Sequence, residues 1–262
     1  MGEVEVTIDY TYDSLYRLTA VDYDDGTYFH YTYDAVGNRL TEETNEATSS
    51  YTYDAANRLT DVDGVAYTWD ANGNLLADGT STYTYDAANR LVELEQGDDT
   101  YAYTYNGLGD RLSQTINGET INYTLDIDTY LTEVLQDGDS TYLYGLGRIG
   151  EDLGETTLYH LPDAMGSVRQ LADSESQILF AQSYEPFGDV LETYGANGSS
   201  YGFTGQMVDE NGLVYLRARY YDTYLNQFIQ SDTIIPDFRN PQSINRYSYV
   251  TVSYTHLTLP TN

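Results

Sequence analysis

The sequence predicts an all-β protein, and three features lead to that expectation. Tyrosine occurs 30 times, whereas proline occurs only five times in 262 residues. Aromatic and threonine side chains suit the pleated surface of a strand, and 22 glycines can supply tight turns. A short tyrosine motif also recurs at intervals of 16 to 21 residues, which indicates a repeat architecture. Long helices are therefore not expected.

The repeat unit is Tyr-Thr-Tyr-Asp or a close variant. Tyr51 and Tyr53 of one copy are two residues apart and share a strand face, with Thr52 on the other face. An Asp-Ala-Ala-Asn or similar turn follows, because Asp and Asn bond their own backbone and tolerate positive φ. An Arg-Leu pair or its relic, four or five residues after the motif, then begins a returning strand. The seven copies end at Asp13, Asp34, Asp54, Asp70, Asp86, Asn106 and Asp126.

The far end of each predicted hairpin carries a second turn. Pairs of Asp or Asn with Gly favour two-residue type I′ loops. These pairs are Asp25-Gly26, Asp63-Gly64, Asp78-Gly79, Asn117-Gly118 and Asp137-Gly138. Each repeat is thus about two strands, and stacked repeats bury a core that none buries alone.

Over about residues 9–145 these motifs resemble the Rhs/YD-repeat family, which is named for this Tyr-Asp repeat. The resemblance implies a long β-sheet of YD-repeat β-hairpins that spirals into a hollow shell. Bacterial polymorphic toxins, insecticidal toxin-complex subunits and animal teneurins share the repeat.

From about Leu158 a denser pattern looks like the Rhs-associated core segment that closes such shells. Its blocks are residues 159–173, 184–188, 201–205, 209–222 and 245–250. We therefore divide the chain into YD repeats at 1–157, a core segment at 158–250 and a tail at 251–262. The tail resembles translated sequencing-adapter read-through, and we expect it to be non-native.

Residues 213–221 alternate as a single strand. Leu213, Tyr215, Arg217, Arg219 and Tyr221 would share one face, and the other face is predicted to be core. We expect the two arginines to pair with carboxylates such as Asp222 or Asp209, with an anion site as the alternative.

In shell proteins that this chain resembles, two aspartates about two dozen residues apart in the core segment form an aspartyl protease. This protease cuts the chain after the core segment and frees a C-terminal toxin. Two close carboxylates can share a proton, so that one activates water and the other protonates the amide. By position Asp232 matches the first aspartate, with a purely structural turn role as the alternative. The second would fall at or near Leu259, where no carboxylate exists. The chain as given is expected not to cleave itself.

Other chemistry finds little support. A formal dinucleotide motif runs from Gly145 to Gly150, but turn and strand residues follow it where a helix is required. His30, His160 and His256 are too scattered for a metal site, and absent cysteine excludes thiolate ligands. Calcium at close carboxylate pairs such as Asp61 and Asp63 stays open. We predict no cofactor.

Charge limits the partners. The 42 acidic and 11 basic residues give a formal charge of −31, which repels nucleic acid and anionic lipid. No stretch approaches the roughly 18 apolar residues of a membrane span, and a secretory signal is not evident. By resemblance the parent protein is a secreted or cell-surface toxin whose shell encloses and delivers a C-terminal effector. The alternative is a surface adhesion or carbohydrate-binding module whose exposed tyrosines stack on glycans or a surface protein.

Overall fold

A computed structural model of the chain describes residues 7–129, 131–196, 198–234 and 241–249. It contains two compact units. The first unit comprises Met1–Gly79 together with Asn226–Asn262, and the second unit comprises Thr80–Leu225. The predicted tail at 251–262 lies outside the described residues.

The first unit is built from short strands and one 3-10 turn. Its elements are β1 (Ile8–Tyr12), β2 (Leu18–Tyr23), β3 (Tyr28–Tyr33), β4 (Arg39–Thr44), β5 (Thr48–Tyr53), β6 (Leu59–Val62), β7 (Val65–Ala66), β8 (Thr68–Trp69), β9 (Leu75–Ala77), β25 (Gln227–Phe228) and the 3-10 turn Pro241–Ile244. Strands β1 to β7 pair antiparallel in chain order, and β8 pairs with β9.

The second unit is likewise built from strands and a 3-10 turn. Its elements are β10 (Ser81–Tyr85), β11 (Leu91–Gln96), β12 (Asp99–Tyr105), β13 (Arg111–Ile116), β14 (Glu119–Asp126), β15 (Glu133–Asp137), β16 (Ser140–Tyr144), β17 (Arg148–Asp152), β18 (Thr157–Pro162), β19 (Val168–Ala172), β20 (Ile178–Tyr184), β21 (Val190–Gly195), the 3-10 turn Phe203–Gly205, β22 (Met207–Val208), β23 (Leu213–Tyr215) and β24 (Tyr220–Asp222). Strands β10 to β21 pair in chain order, and β22 to β24 form a separate small sheet. The all-β prediction is confirmed.

The two faces of the repeat strands differ as the motif predicts. The first tyrosine of the motif is 3–5% exposed at Tyr31, Tyr51, Tyr83 and Tyr103. Threonines between the tyrosines lie on the other face and bond across strands, as Thr32 Oγ1 does to Thr41 Oγ1 at 2.6 Å. The sheet therefore buries its aromatic face and leaves a hydroxyl-rich face outward.

The type I′ prediction for the far turns is right at two sites. Positive φ at both loop residues, as type I′ requires, occurs at Asp63-Gly64 and Asn117-Gly118. At Asp25 and Asp78 only the following glycine has positive φ. Asp137 pairs with Ser140 as a strand residue, so the loop there begins at Gly138. The prediction is wrong at these three sites.

The predicted single strand over residues 213–221 is also wrong. Strands β23 and β24 form a hairpin in which Tyr215 pairs with Tyr220. Arg217 has φ 62°, and the Leu216 N–H donates to the Arg219 carbonyl at 2.9 Å. A left-handed residue in the middle of the run reverses the chain, which alternation of residue types does not reveal.

The predicted boundary between repeats and core segment, after residue 157, lies where the sequence pattern changes, and it stays a prediction. Structurally the sheet continues across it, because β17 pairs with β18 and Gly150 lies opposite Tyr159. No helix among the described residues is long and apolar enough to cross a membrane.

Candidate functional site: the repeat turns and the segment bound to them

Five motif aspartates, at positions 13, 34, 54, 70 and 86, each close a five-residue turn with their own carboxylate. In the third copy, Asp54 Oδ1 accepts the N–H groups of Ala56 and Arg58 at 2.8 and 3.0 Å. Asp54 Oδ2 accepts Arg58 Nε at 2.7 Å. The fourth turn residue, Asn57, has φ 60°, which Asn tolerates. The predicted turn chemistry is confirmed in atomic detail.

The same turn continues beyond the recognised repeats. The backbone pattern joins the N–H of the first residue to the carbonyl of the fifth. This pattern also occurs at Asp163, Asp173, Glu185 and Asp209. The core segment is therefore built partly from the same turn unit, although its sequence no longer shows the tyrosine motif.

The spacing between the turn aspartate and the arginine decides where the arginine lies. An arginine four residues on, such as Arg17, Arg58 or Arg90, closes the turn and is partly exposed. An arginine five residues on begins a strand on its buried face, as Arg39 and Arg111 do with 4% and 2% exposure. The same residue type therefore has two different environments, and the one-residue difference in spacing distinguishes them.

Turn-closing arginines also join successive repeats. Arg90 Nη1 donates to the Asn106 carbonyl of the next turn at 3.0 Å. The Arg90 guanidinium lies 5.0 Å from the ring centroid of Tyr105. Arg17 makes the equivalent pair of contacts with Asp34 and Tyr33. Each such arginine therefore ties its own turn to the following one.

The buried Arg111 reaches the core segment of the second unit. Its guanidinium binds Asp209 through two contacts of 2.6 and 2.9 Å, and it lies 4.2 Å from the ring centroid of Tyr215. Burial alone would lower the pKa of Arg111, but Asp209 together with the nearby Tyr220 and Tyr123 raises it above its usual value, so the guanidinium stays charged. This ion pair fixes β13 to the segment before β23.

Three successive turns of the first unit contact the core segment. Asn245 Nδ2 donates to Asn38 Oδ1 at 2.9 Å, and Asn57 Nδ2 donates to the Ile244 carbonyl at 3.4 Å. In the next turn, the Gly73 carbonyl accepts the Tyr247 hydroxyl at 3.1 Å. The turns at residues 34–38, 54–58 and 70–74 thus form a row, here called the turn row, along which residues 244–247 lie.

Asp232 lies beside this row. Its backbone N–H donates to the Arg246 carbonyl at 2.9 Å, and its own carbonyl accepts Arg246 Nε at 2.8 Å. The carboxylate Oδ1 accepts the Ile234 N–H at 2.8 Å, and the residue is partly exposed. The predicted partner position at Leu259 lies outside the described residues, so the catalytic assignment stays a prediction.

The expected carboxylate partners of Arg217 are wrong. Asp209 is bound by Arg111 instead, and the expected pairing of Arg219 with a carboxylate stays a prediction. The Arg217 side chain reaches the Thr132 carbonyl and Gln206 Oε1, each at 3.4 Å. The sequence offers many carboxylates, and residue type alone does not select among them.

The glycine motif at residues 145–150 forms a turn and enters β17, as expected. The Gly145 N–H donates to the Gly147 carbonyl at 2.8 Å, and Gly150 lies in the strand.

The close carboxylates of Asp61 and Asp63 accept backbone N–H groups, that of Gly64 in the turn and that of Ser50 in β5. His160 lies 3.5 Å from Glu151 and His30 lies 2.9 Å from Asp22. His256 lies outside the part of the chain that the structure describes.

Comparison with known proteins places this geometry in context. The family model Teneurin YD-shell matches residues 1–253. The tRNA3(Ser)-specific nuclease WapA of Bacillus spizizenii is 34% identical over 239 residues, and the tRNA nuclease WapA of Bacillus subtilis strain 168 is 33% identical over 241. Each match covers 84% of this chain and 10% of the relative. The chain therefore spans about a tenth of the length of these relatives.

Among solved structures, the TcdB2-TccC3-Cdc42 crystal structure is similar with a TM-score of 0.54 and 17% identity. TcdB2-TccC3 without its hypervariable C-terminal region is similar with a TM-score of 0.50 and 18% identity. These matches cover 95% and 94% of this chain, and 18% of each longer chain. At this identity the likeness concerns the fold.

Proposed function

The chain belongs to the teneurin YD-shell family, and from this membership we propose that it is a wall segment of a toxin shell. The shell encloses an effector carried at the C-terminal end of the parent protein and delivers it outside the producing cell. The structural shell role follows from the family. Enclosure, delivery and secretion are the proposed steps.

The observation that carries the proposal is the distribution of the tyrosines. Four motif tyrosines, Tyr31, Tyr51, Tyr83 and Tyr103, are no more than 5% exposed. A carbohydrate-binding module would need contiguous accessible rings. Among the described motif copies, only the first has both tyrosines strongly exposed, Tyr10 at 51% and Tyr12 at 46%. The buried aromatic face therefore favours a wall over an adhesive surface.

The character of the relatives supports the same assignment. Two are named as tRNA nucleases, but this chain matches only a tenth of their length. A net charge of −31 is unfavourable for binding a tRNA substrate directly. We assign the effector chemistry of such proteins to their remaining sequence and the enclosing role to this part.

The proposal is tested on the parent gene. Long-read sequencing of the source DNA through the 3′ end would give the native continuation, and the full protein would then be expressed. We expect its C-terminal domain to resist added protease until the shell is unfolded with urea. A C-terminal domain that is digested as fast as the same domain alone would refute enclosure.

A glycan array with the same protein tests the alternative. Specific glycan binding that is lost on Tyr10→Ala and Tyr12→Ala would favour adhesion.

We further propose that Asp232 is one half of an autoproteolytic aspartate pair that releases the effector. Its backbone N–H and carbonyl are both hydrogen-bonded to Arg246 beside the turn row, which suits a group that must be held in position. The test replaces residues 251–262 with a native downstream segment that carries Asp-Pro-Ser-Gly-Leu with its aspartate at the position of Leu259, and follows cleavage by mass spectrometry. Asp232→Asn is expected to abolish cleavage, and a fusion that stays intact with Asp232 present would refute the role.

A further inference from the structure

The turn at residues 70–74 pairs with residues 229–231, which lead directly into Asp232. The Ser231 N–H donates to the Gly73 carbonyl at 3.1 Å, and the Leu75 N–H donates to the Ile229 carbonyl at 2.9 Å. Asn74 and Gln230 form a bridge between them. Residues 73–75 therefore pair with residues 229–231 as two short strands would, and this pairing ends at the residue before Asp232.

At Gly73 the turn comes into close contact with Ser231 and Tyr247. Its φ is +86°, and a Cβ added there would lie 2.6 Å from the Tyr247 hydroxyl and 3.0 Å from Ser231 Cβ. Its carbonyl accepts both the Ser231 N–H and the Tyr247 hydroxyl. Only a residue without a side chain permits this approach.

Tyr247 completes the contact from the other side. Its ring meets Trp69 edge-on at 4.9 Å between centroids, and the residue is 3% exposed. Burial raises the pKa of the Tyr247 hydroxyl, which therefore remains a neutral donor to Gly73. Trp69 is itself fixed, because its indole N–H donates to the Leu59 carbonyl at 2.7 Å.

Asp232 is held on two sides, by its neighbour Ser231 and by the residue before Tyr247. Its preceding residue, Ser231, is bound to Gly73, and its N–H is bound to the carbonyl of Arg246, which precedes Tyr247. Displacing Tyr247 or Ser231 would therefore move Asp232.

We propose that the turn at residues 70–74 is a platform that positions Asp232, with Gly73 and Tyr247 as its positioning residues. The catalytic meaning of the platform rests on the proposed autoproteolytic role of Asp232. The docking itself does not depend on that role. The two claims are therefore measured separately.

Docking is measured in the intact chain through Trp69, the only tryptophan. Gly73→Ala is expected to shift its emission to longer wavelength and to increase acrylamide quenching, because the added methyl displaces Tyr247. Gly64→Ala is the matched control, since Gly64 has φ +89° and nothing within 4 Å of an added Cβ. It introduces the same backbone strain without the clash. Equal quenching in the two variants would overturn the platform.

The positioning of Asp232 is measured as the rate of cleavage in the fusion that carries the downstream Asp-Pro-Ser-Gly-Leu segment. Gly73→Ala is expected to slow cleavage by about 10- to 100-fold, as a misplacement on the order of 1 Å does. The pH profile should keep its shape, and Gly64→Ala should cleave at the wild-type rate. Adding Tyr247→Phe to Gly73→Ala removes the hydroxyl that the methyl would strike, so cleavage should partly recover. General loosening of the fold predicts no such rescue.

The outcomes separate the two proposals. Cleavage of Gly73→Ala at the rate of Gly64→Ala overturns the positioning role. Cleavage that persists in Asp232→Asn overturns the protease role, and the Trp69 quenching result then decides the platform alone.

Discussion

Arg111 and Asp209 lie 98 residues apart in sequence and form a two-contact ion pair whose side chains are each 1% exposed. Arg111 follows a repeat turn, whereas Asp209 opens a turn of the core segment. In the other repeat turns the aspartate carboxylate bonds its own turn amides, but at Asp209 it binds this distant arginine. Asn211 Oδ1 accepts the Leu213 N–H in its place, at 3.0 Å.

Arg111→Met is expected to destabilise the second unit strongly. Removing one partner leaves the Asp209 charge buried and uncompensated, which costs about 3–5 kcal/mol. Urea unfolding followed by tyrosine near-ultraviolet circular dichroism would measure the loss. Arg90→Met is the control, because its pair with Asp86 is 31% and 24% exposed and pairs at the surface contribute at most about 1 kcal/mol. Equal losses in the two variants would contradict the assignment.

Asp86→Ala is expected to lower stability at neutral pH by about 1–2 kcal/mol, since the turn amides of Ala88 and Arg90 lose their acceptor. Burial alone would raise the pKa of Asp86, but hydrogen bonds from Arg90 and Ala88 lower it overall. A lowered folded-state pKa means that the stabilisation is present above the unfolded pKa of 3.8 and is lost below it. The difference between wild type and variant should shrink as pH falls below about 4. A difference that does not change with pH would refute the role of the charge.

Gly150→Ala should be destabilising by about 1–3 kcal/mol, in the range of overpacked sites. An added Cβ would lie 2.3 Å from the Leu158 carbonyl oxygen of the adjacent strand. Gly147→Ala, in the same glycine motif, should have little effect because nothing lies within 4 Å. Thermal unfolding of the two variants would decide whether the motif serves strand packing. The expectation fails if Gly147→Ala is the more damaging change.

Asp137→Asn should flatten part of the pH dependence of stability. Burial raises the pKa of Asp137, and the Glu151 carboxylate adds to the effect, while the Tyr142 hydroxyl bond at 2.7 Å opposes it. A raised folded-state pKa means that the contribution is present below the unfolded value of 3.8 and is lost as pH rises through the folded value. Relative to wild type, the variant should therefore gain stability between pH 4 and pH 7. If plots of unfolding free energy against pH ran parallel for wild type and variant over that range, the buried Asp137 charge would not be the cause.

Much of the repeat could be predicted because its structure is local. Asp54, Asn57 and Arg58 make their defining contacts within five residues, and their residue types favour those conformations. The burial of Arg39 could also be predicted from the sequence, because it follows from the spacing. An arginine five residues after the turn aspartate, rather than four, lies on the buried face of the strand.

The remaining features depend on contacts that the sequence does not specify. The pairing of Arg111 with Asp209 depends on the approach of distant segments, and 42 acidic residues offer too many alternatives. The hairpin at Arg217 requires a positive φ from a residue type that rarely adopts one. Gly73 could be assigned to a turn from sequence, but its contact with Tyr247 spans 174 residues.

The closure of each repeat turn by residues four apart bears on how the protein is made. Contacts between residues near in sequence form quickly, because little chain entropy is lost in bringing them together. A sheet whose strands pair in chain order can therefore grow one hairpin at a time as the polypeptide leaves the ribosome. The core segment is synthesised after these repeats, so its contacts with Asn38, Gly73 and Arg111 form only once the repeats exist. The repeat sheet can therefore fold first, and the core segment binds to it afterwards.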